Sequence, residues 1–458
     1  MSKLNRAAVI GAGISGLCTA YWLQKNGFEV QVFEKAAHAG GVIVSEQTDG
    51  FLVDLGPNST LETSEVLSEL VEELNLGAQK VYANEVSSKR YIVKNGKLTA
   101  IPMSLLSFLK TGLFSWPAKL RLLQEPFRKP TLGDDIALAD FVQHRLGKEF
   151  LDYAINPFVA GVYAGDPRLL STAAGFPKLY ALEKNYGSLI RGAIMGSRER
   201  RKRKEVAKDR AKMFSFRDGM QTFTDALKER INTIEYNTAA HRLQKKEGHF
   251  ELETEGAEGK KTTEFGLVIC CVPTYSLAPL LSDIAPQQTE PLAAVNYPPV
   301  AVMYTAFKKS DIQRELDGFG FLIPEVEKRE ILGSIWSSVL FPDRAPEGYV
   351  AFTSFIGGTR QPDNARLPDN QLKALVLREL RDLVGISGDP VFVRIKKWER
   401  AIPQYKVGYK KIQAIFDKLE AQHTGLYFAG NYRRGISVGD SVLSAHEAVE
   451  KILSHKTP

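Results

Sequence analysis

Three glycines and one carboxylate near the start of the chain are the first residues whose spacing implies chemistry. Gly11, Gly13 and Gly16 fall in the run Gly11-Ala12-Gly13-Ile14-Ser15-Gly16, and Glu34 follows about 20 residues on. The first glycine permits a tight turn. The second lets backbone N–H groups approach a pyrophosphate, and the third lets a helix pack closely on a strand. A helix beginning there adds partial positive charge at its N-terminus. A carboxylate at Glu34 can accept hydrogen bonds from a ribose diol. Together they predict a dinucleotide site. The elements that must position it are legible too: residues 7–10 read as a short buried strand and 14–26 as a helix ended by Gly27. Residues 30–33 alternate as a second strand that delivers Glu34.

Beyond Glu34 come Lys35, Ala36, Ala37, His38, Ala39, Gly40, Gly41 and Val42, then Asp49-Gly50-Phe51 and Gly56-Pro57-Asn58-Ser59. In these residues the chain resembles the glutathione-reductase-like flavoproteins of the amine oxidase and phytoene desaturase superfamily. The resemblance implies FAD, held non-covalently. Its contacts would be Gly11, Ala12, Gly13, Ile14, Ser15, Gly16, Glu34, Lys35, Gly41, Val42, Gly56, Pro57, Asn58 and Ser59. Amine oxidases usually flank the Gly-Gly pair with arginines; here the flanks are Ala39 and Val42, a departure from that branch. Near the other end, Gly425-Leu426-Tyr427-Phe428-Ala429-Gly430-Asn431 reads as a strand, and Gly435-Ile436-Ser437-Val438-Gly439-Asp440 leads into a helix over 441–453. An ordinary strand–loop–helix crossover has the same local pattern. By resemblance, Gly430, Ile436, Ser437 and Val438 meet the isoalloxazine, Ala240 meets the adenine, and Trp398 lies on the flavin-facing strand. The strand over 267–272, ended by Pro273, is expected to complete the sheet that holds Ala240.

The middle of the chain narrows the resemblance. Asn156-Pro157-Phe158-Val159-Ala160-Gly161-Val162-Tyr163-Ala164-Gly165-Asp166-Pro167, Leu170-Ser171-Thr172 and Phe176-Pro177 resemble the oxygen-dependent protoporphyrinogen oxidase family. So do Phe216-Arg217-Asp218-Gly219-Met220, Phe341-Pro342-Asp343-Arg344-Ala345-Pro346, Phe355-Ile356-Gly357-Gly358 and Trp398-Glu399-Arg400-Ala401-Ile402-Pro403-Gln404-Tyr405. The resemblance implies six-electron oxidation of protoporphyrinogen IX to protoporphyrin IX, with release of hydrogen peroxide. Coproporphyrinogen III is the alternative substrate. An FAD amine oxidase or carotenoid desaturase, or a flavin-binding protein without catalysis, are more distant readings. No side chain is assigned a catalytic role, because flavin N5 carries the chemistry and the protein supplies position and an apolar slot. By residue-wise likeness, Leu322 and Ile335 sandwich one pyrrole ring and Phe355 stacks beneath another. Arg90 pairs with a propionate, and Gly165 lines the substrate site. The three apolar residues would also suit an ordinary core, and the segment between Leu322 and Ile335 is shorter than in the plant enzymes.

Composition excludes other classes. A 44% hydrophobic, 25% charged chain of 458 residues is neither disordered nor fibrous. The net charge of +7 is concentrated at 198–212, whose nine Lys/Arg and three Asp/Glu supply most of it. No aromatic residues interleave there, so a solvated segment is expected and no nucleic acid; an anionic membrane surface is the alternative. Cys18, Cys270 and Cys271 have no metal-ligand spacing, and neighbours on a strand point to opposite faces; free thiols and no metal are expected.

The expected fold is α/β (α+β): a glutathione-reductase-like FAD-binding Rossmann domain, a mixed β-sheet substrate domain and a helical insertion. Its parts are 1–86, 213–295 and 401–458 for FAD, 87–101 and 296–400 for the substrate sheet, and 102–212 for the insertion. Apolar residues between Ile101 and Phe127, interrupted by Lys110, Lys119 and Arg121, suit a membrane interface better than a span. A helix pair packed on its own core would read the same way. A cytoplasmic protein, peripheral on the inner face of the cell membrane, is expected. Its partners would be the porphyrinogen and molecular oxygen, with ferrochelatase as the next haem-pathway enzyme and a homodimer as further expectations.

Overall fold

The computed structural model describes residues 5–131, 133–203 and 211–456. Five short strands form a parallel sheet in the order Ile234–Glu235, Glu29–Phe33, Arg6–Ile10, Leu267–Cys270 and Leu426–Phe428. Ala7, Ala8 and Val9 are fully buried because helices and loops cover both faces, as a parallel sheet requires. On one side the helices Ile14–Lys25 and Val438–Lys456 pack together through Leu17, Ala20, Val442, Ala445 and Val449. The first and last thirds of the chain thus share one core.

One expectation is corrected here. The Ala239–Lys246 strand, which carries Ala240, does not lie in the sheet of Leu267–Cys270. It opens a separate antiparallel meander with His249–Gly256 and Gly259–Phe265. Leu243, Phe250, Leu252 and Phe265 alternate onto one face of that meander and cover the parallel sheet at Ile10 and Phe33. Alternate burial gives one covered face and one wet one, which a central parallel strand cannot have.

A second, seven-stranded sheet runs Phe392–Trp398, Val300–Lys308, Tyr349–Gly357, Gly333–Ile335, Gly318–Leu322, Lys89–Lys94 and Lys97–Ala100. All pairs are antiparallel except Gly318–Leu322 with Lys89–Lys94. Period-two alternation sorts its side chains. Tyr91, Val93, Ala301, Met303, Phe321 and Ile356 bury against the amphipathic helix Asp369–Val384. The residues between them point to the opposite face, where Ile92 and Leu322 pack with Phe114 and Phe150, and Val300 and Val302 with Ala160 and Ala164.

Short helices make up most of the described residues between 105 and 203. Their anchor is a buried ionic network in which Arg145, fully buried, donates to Glu183, Glu125 and the Gly187 carbonyl. Glu125 also accepts from the Leu189 and Ile190 N–H groups and so caps the Leu189–Arg203 helix. Of the basic run 198–212, residues 204–210 and the side chains of 198–203 lie outside the described residues. Cys18, Cys270 and Cys271 are free thiols. No helix among the described residues is long and apolar enough to cross a membrane.

Candidate active site

The glycine loop closes on itself as its spacing requires. Gly11 has φ +99°, and Gly16 sits so near it that an added Cβ would lie 1.8 Å from the Gly11 carbonyl oxygen. Gly13 precedes the first helix in extended conformation, has no side-chain cap, and an added Cβ would meet nothing within 4 Å. Open space therefore lies in front of uncapped helix N–H groups, which is the arrangement an anion needs. Glu34 accepts from the Ala12 N–H and the Ala36 N–H, both at 2.8 Å, tying the loop to the end of the second strand. Thr238 N–H donates to the Glu34 carbonyl and Asn237 N–H to that of Ala36. That sets Ala240 two residues beyond a backbone hydrogen bond to Glu34, in spite of its different sheet.

The second glycine turn folds over the first. Gly40 N–H donates to the Ala12 carbonyl, and a Cβ on Gly41 would come within 3.2 Å of the Gly13 Cα. Gly56 packs so tightly beneath Val42 that its Cβ would lie 1.9 Å from the Val42 carbonyl oxygen. Trp398 Nε1 donates to the Leu55 carbonyl at 2.9 Å, and Asn58 shares a small cavity with Tyr304, Ser337 and Thr353 of the substrate side. Lys35, by contrast, is exposed beyond the end of the strand.

The two halves of the fingerprint meet although more than 400 residues separate them: Ser15 Oγ donates to the Ser441 carbonyl at 3.2 Å. Gly430 N–H is held by Ser444 Oγ, while Ser437 accepts from the Asp440 N–H at the start of the last helix. Thr60 Oγ1 is buried, has no hydrogen-bond partner, and lies 3.7 Å from where a Gly439 Cβ would stand. Uncapped helix start, glycine-lined approach and an orphaned hydroxyl at the far end fit a long dinucleotide such as FAD.

On the substrate side, register brings four expected residues to one sheet face. Leu322, Gly333, Phe355 and Val302 form a cross-strand row. Ile335 lies two residues beyond Gly333, and Arg90 two before Ile92, the partner of Leu322. Leu322 folds into the space left by two glycines: a Cβ on Gly161 would sit 2.3 Å from its Cδ2, and one on Gly333 3.0 Å. Arg90 is exposed, stacks over Phe319, and has no carboxylate partner among the described residues. Gly165 is not part of this row. It is buried at the end of the Asn156–Tyr163 helix, where a Cβ would meet Gln404 Oε1 at 2.6 Å.

Several residues that hold this site together were given no role by the sequence reading. Gln404 Nε2 donates to the Tyr163 carbonyl and pins the end of that helix. Arg360 donates to Asn156 Oδ1 and the Ile323 carbonyl, joining the helix start to the strand of Leu322; burial lowers its pKa. Arg344 and Asp54 form a buried ion pair across the two halves. Arg344 had appeared only as part of a family string, and nothing in one sequence pairs it with Asp54.

The family described as flavin containing amine oxidoreductase matches residues 14–453. Mitochondrial protoporphyrinogen oxidase of Nicotiana tabacum is 34% identical over 99% of this chain and 96% of its own length. Coproporphyrinogen III oxidase of Bacillus subtilis is 27% identical over 98% of each. A crystal structure from Exiguobacterium sp. 255-15 superimposes with a TM-score of 0.83 at 24% identity, covering 99% of both chains, which shows the fold.

Proposed function

Because this chain belongs to the flavin containing amine oxidoreductase family, we propose that it is an FAD-dependent porphyrinogen oxidase whose preferred substrate is protoporphyrinogen IX. The observation that carries the reading is that Phe355, Leu322, Ile335 and Arg90 share one face of the seven-stranded sheet. Bound FAD supplies a two-electron acceptor that molecular oxygen restores, with hydrogen peroxide as product. The chain's part is positional. Flat apolar side chains hold a macrocycle by area and stacking, and excluding water keeps the reacting carbons in place. The FAD parts are assigned to 1–86, 213–295 and 401–458, the substrate sheet to 87–101 and 296–400, and the insertion to 102–212.

Charge separates the two porphyrinogens. Protoporphyrinogen carries two carboxylates and coproporphyrinogen four. Other cations that could add to Arg90 are already engaged: Lys89 with Asp317, Lys94 with Glu149, and Arg168 with both Asp166 and Glu325. Arg90 is left for a propionate, which favours the substrate with fewer carboxylates. Assay of the purified, FAD-loaded protein on both porphyrinogens in air, by product fluorescence, is expected to show faster turnover of protoporphyrinogen. Equal or faster turnover of coproporphyrinogen would reverse the preference, and turnover of neither would remove the proposal. Arg90→Ala should lose a charge-assisted pair of about 1.5–3 kcal/mol, hence roughly 10–150-fold in kcat/KM, mostly through KM.

The membrane reading also belongs to this proposal. Leu105–Lys110 and Trp116–Leu123 expose Leu105, Leu106, Trp116, Leu120 and Leu123, with Met103 just before them exposed and Phe127 just after at 82% exposure. Phe108, Leu113, Phe114 and Ala118 meanwhile pack inward on Phe150, so the pair has one core face and one bare face. Lys119 departs from expectation. It is buried at 5% exposure, donates to the Leu109 and Thr111 carbonyls and lies over Trp116, so it fixes the helix pair instead of meeting headgroups. Lys110 is exposed and remains to meet an anionic surface, peripheral on the cell membrane's inner face in this reading, whereas Arg121 is half-buried and donates to the Gln143 carbonyl. Sedimentation with anionic vesicles is expected to carry the protein down. Leu105→Glu with Leu123→Glu should weaken that at least about tenfold, with unchanged turnover of detergent-dispersed substrate. The assignment to the cytoplasm, dimerisation and transfer of product to ferrochelatase are parts of the same proposal.

A further inference from the structure

The turn that follows the Leu426–Phe428 strand is held by buried hydroxyls. Tyr405 donates to the Asn431 carbonyl, and Tyr409 donates to the Tyr432 carbonyl at 2.8 Å. Gly430 N–H donates to Ser444 Oγ at 3.0 Å, and the Tyr432 hydroxyl reaches back to the Cys270 carbonyl at 2.8 Å. The Tyr405 and Tyr409 rings stack with centroids 4.2 Å apart and planes 15° from parallel. Both are buried, and burial pushes both phenols well above their ordinary range, so each keeps its hydrogen and stays a donor. Phenylalanine would fill the same space with no polar atom to satisfy. Two phenols aimed at consecutive carbonyls of one turn are therefore more than the core requires.

The tyrosines stand on fixed backbone. Ser171 N–H donates to the Tyr405 carbonyl at 2.7 Å. Gly408 N–H donates to Asp135 Oδ2 at 2.7 Å, just before Tyr409 opens the Tyr409–Gln422 helix. Ile436 packs on the pair together with Ala174. The pair thus touches the chain at Asn431 and Tyr432 and again at Ile436, before Val438 opens the last helix. A trans peptide sets its C=O and N–H on opposite sides, so anchoring two consecutive carbonyls fixes how both peptide units face. We propose that Tyr405 and Tyr409 are positioning residues for the flavin: their hydroxyls fix the Asn431 and Tyr432 carbonyls and so hold the approach from Gly430 to Val438 against the isoalloxazine. The proposal deepens the FAD reading and rests on its placing Gly430, Ile436, Ser437 and Val438 beside that ring. A helix N-terminus held there favours the negative charge that reduction brings. Loosening the turn should therefore disfavour the reduced flavin.

Tyr405→Phe and Tyr409→Phe keep both rings and remove only the donors. The midpoint potential of the flavin, measured by reductive titration of the FAD-loaded protein, is the test. Each variant is expected to shift the flavin equilibrium at least about threefold toward the oxidised form, and the double variant at least about tenfold, which is about 30 mV for a two-electron couple. The visible flavin spectrum should change with it. Each single variant is read on its own, so the result does not depend on the double variant folding. A role confined to packing would lower the urea midpoint of the apoprotein and leave the potential at its parental value, which would overturn the proposal. Gly430→Ala tests the reading beneath it. Gly430 has φ +154°, and an added Cβ would stand 2.7 Å from Tyr432 Cε1, so that substitution moves the turn itself. An unchanged flavin spectrum in Gly430→Ala would put the isoalloxazine elsewhere and remove reading and proposal together. A changed spectrum there, beside parental potentials in the folded tyrosine variants, would overturn the tyrosine proposal alone.

Discussion

Gly13→Ala is expected to give a protein that folds as well as the parent yet is colourless. The glycine has φ −72° and ψ 176°, which alanine adopts without strain, and the new methyl would touch no protein atom within 4 Å. The apoprotein should therefore lie within about 0.5 kcal/mol of the parent, as for a substitution that meets nothing. The methyl instead points into the space before the first helix, where the backbone must approach a pyrophosphate. FAD affinity should fall at least about 100-fold, or about 2.7 kcal/mol, and turnover with it at limiting FAD. Gly16→Ala supplies the contrast. There the methyl would stand 1.8 Å from the Gly11 carbonyl oxygen, so loop and helix must separate before any cofactor arrives. That variant should lose about 1–3 kcal/mol of apoprotein stability as well as its colour. Flavin absorbance beside urea unfolding of each apoprotein separates the two effects. A yellow Gly13→Ala protein would place the pyrophosphate elsewhere.

The difference between these glycines shows what one sequence made legible. Spacing alone identified the loop, because tight turn, close approach and helix packing each demand a missing side chain at a fixed offset. The strands around it were equally legible, since Ala7 to Ile10 are too apolar to lie anywhere but inside. Phe355, Leu322 and Ile335 were found by resemblance, and register alone shows that they share a face. Pairing between strands is a long-range property that no local pattern encodes, which is also why Ala240 was expected in the wrong sheet. Lys119 was misread for a related reason. A lysine among apolar residues suggests a headgroup contact, but the carbonyls of Leu109 and Thr111 could be located only after the two short helices had been placed.

Arg344 was still less visible, and its replacement carries the largest expected loss of stability. Its Nε donates to Asp54 Oδ2 at 3.1 Å, and its Nη2 donates to Ser215 Oγ at 2.7 Å and to the Phe216 carbonyl. Asp54 also accepts from Ser45 Oγ and from the Met220 N–H, and both charged side chains are 3% exposed. One guanidinium therefore joins the segment just before the Tyr349–Gly357 strand to the Phe51–Asp54 and Met213–Phe216 strands. Burial pushes the Asp54 carboxyl above its ordinary range, against the pull of Arg344 and its hydrogen bonds. Arg344→Met removes that pull and leaves a buried carboxylate uncompensated, at about 3–5 kcal/mol. The pH dependence has a definite sign. A carboxyl whose folded pKa exceeds its unfolded value binds more protons when folded, so stability rises as pH falls through the folded pKa toward the unfolded one. With Arg344 gone the folded value climbs further, and the deficit of Arg344→Met should shrink as the pH is lowered from about 8 to about 5.5. Asp54→Asn in the same chain should recover more than half of the loss at neutral pH, because a neutral amide needs no counter-charge. Urea midpoints of parent, single and double variants across that range provide the measurement. If Arg344→Met proves pH-independent, or if the double variant is no more stable than the single, then the halves are held together by apolar packing and not by this pair.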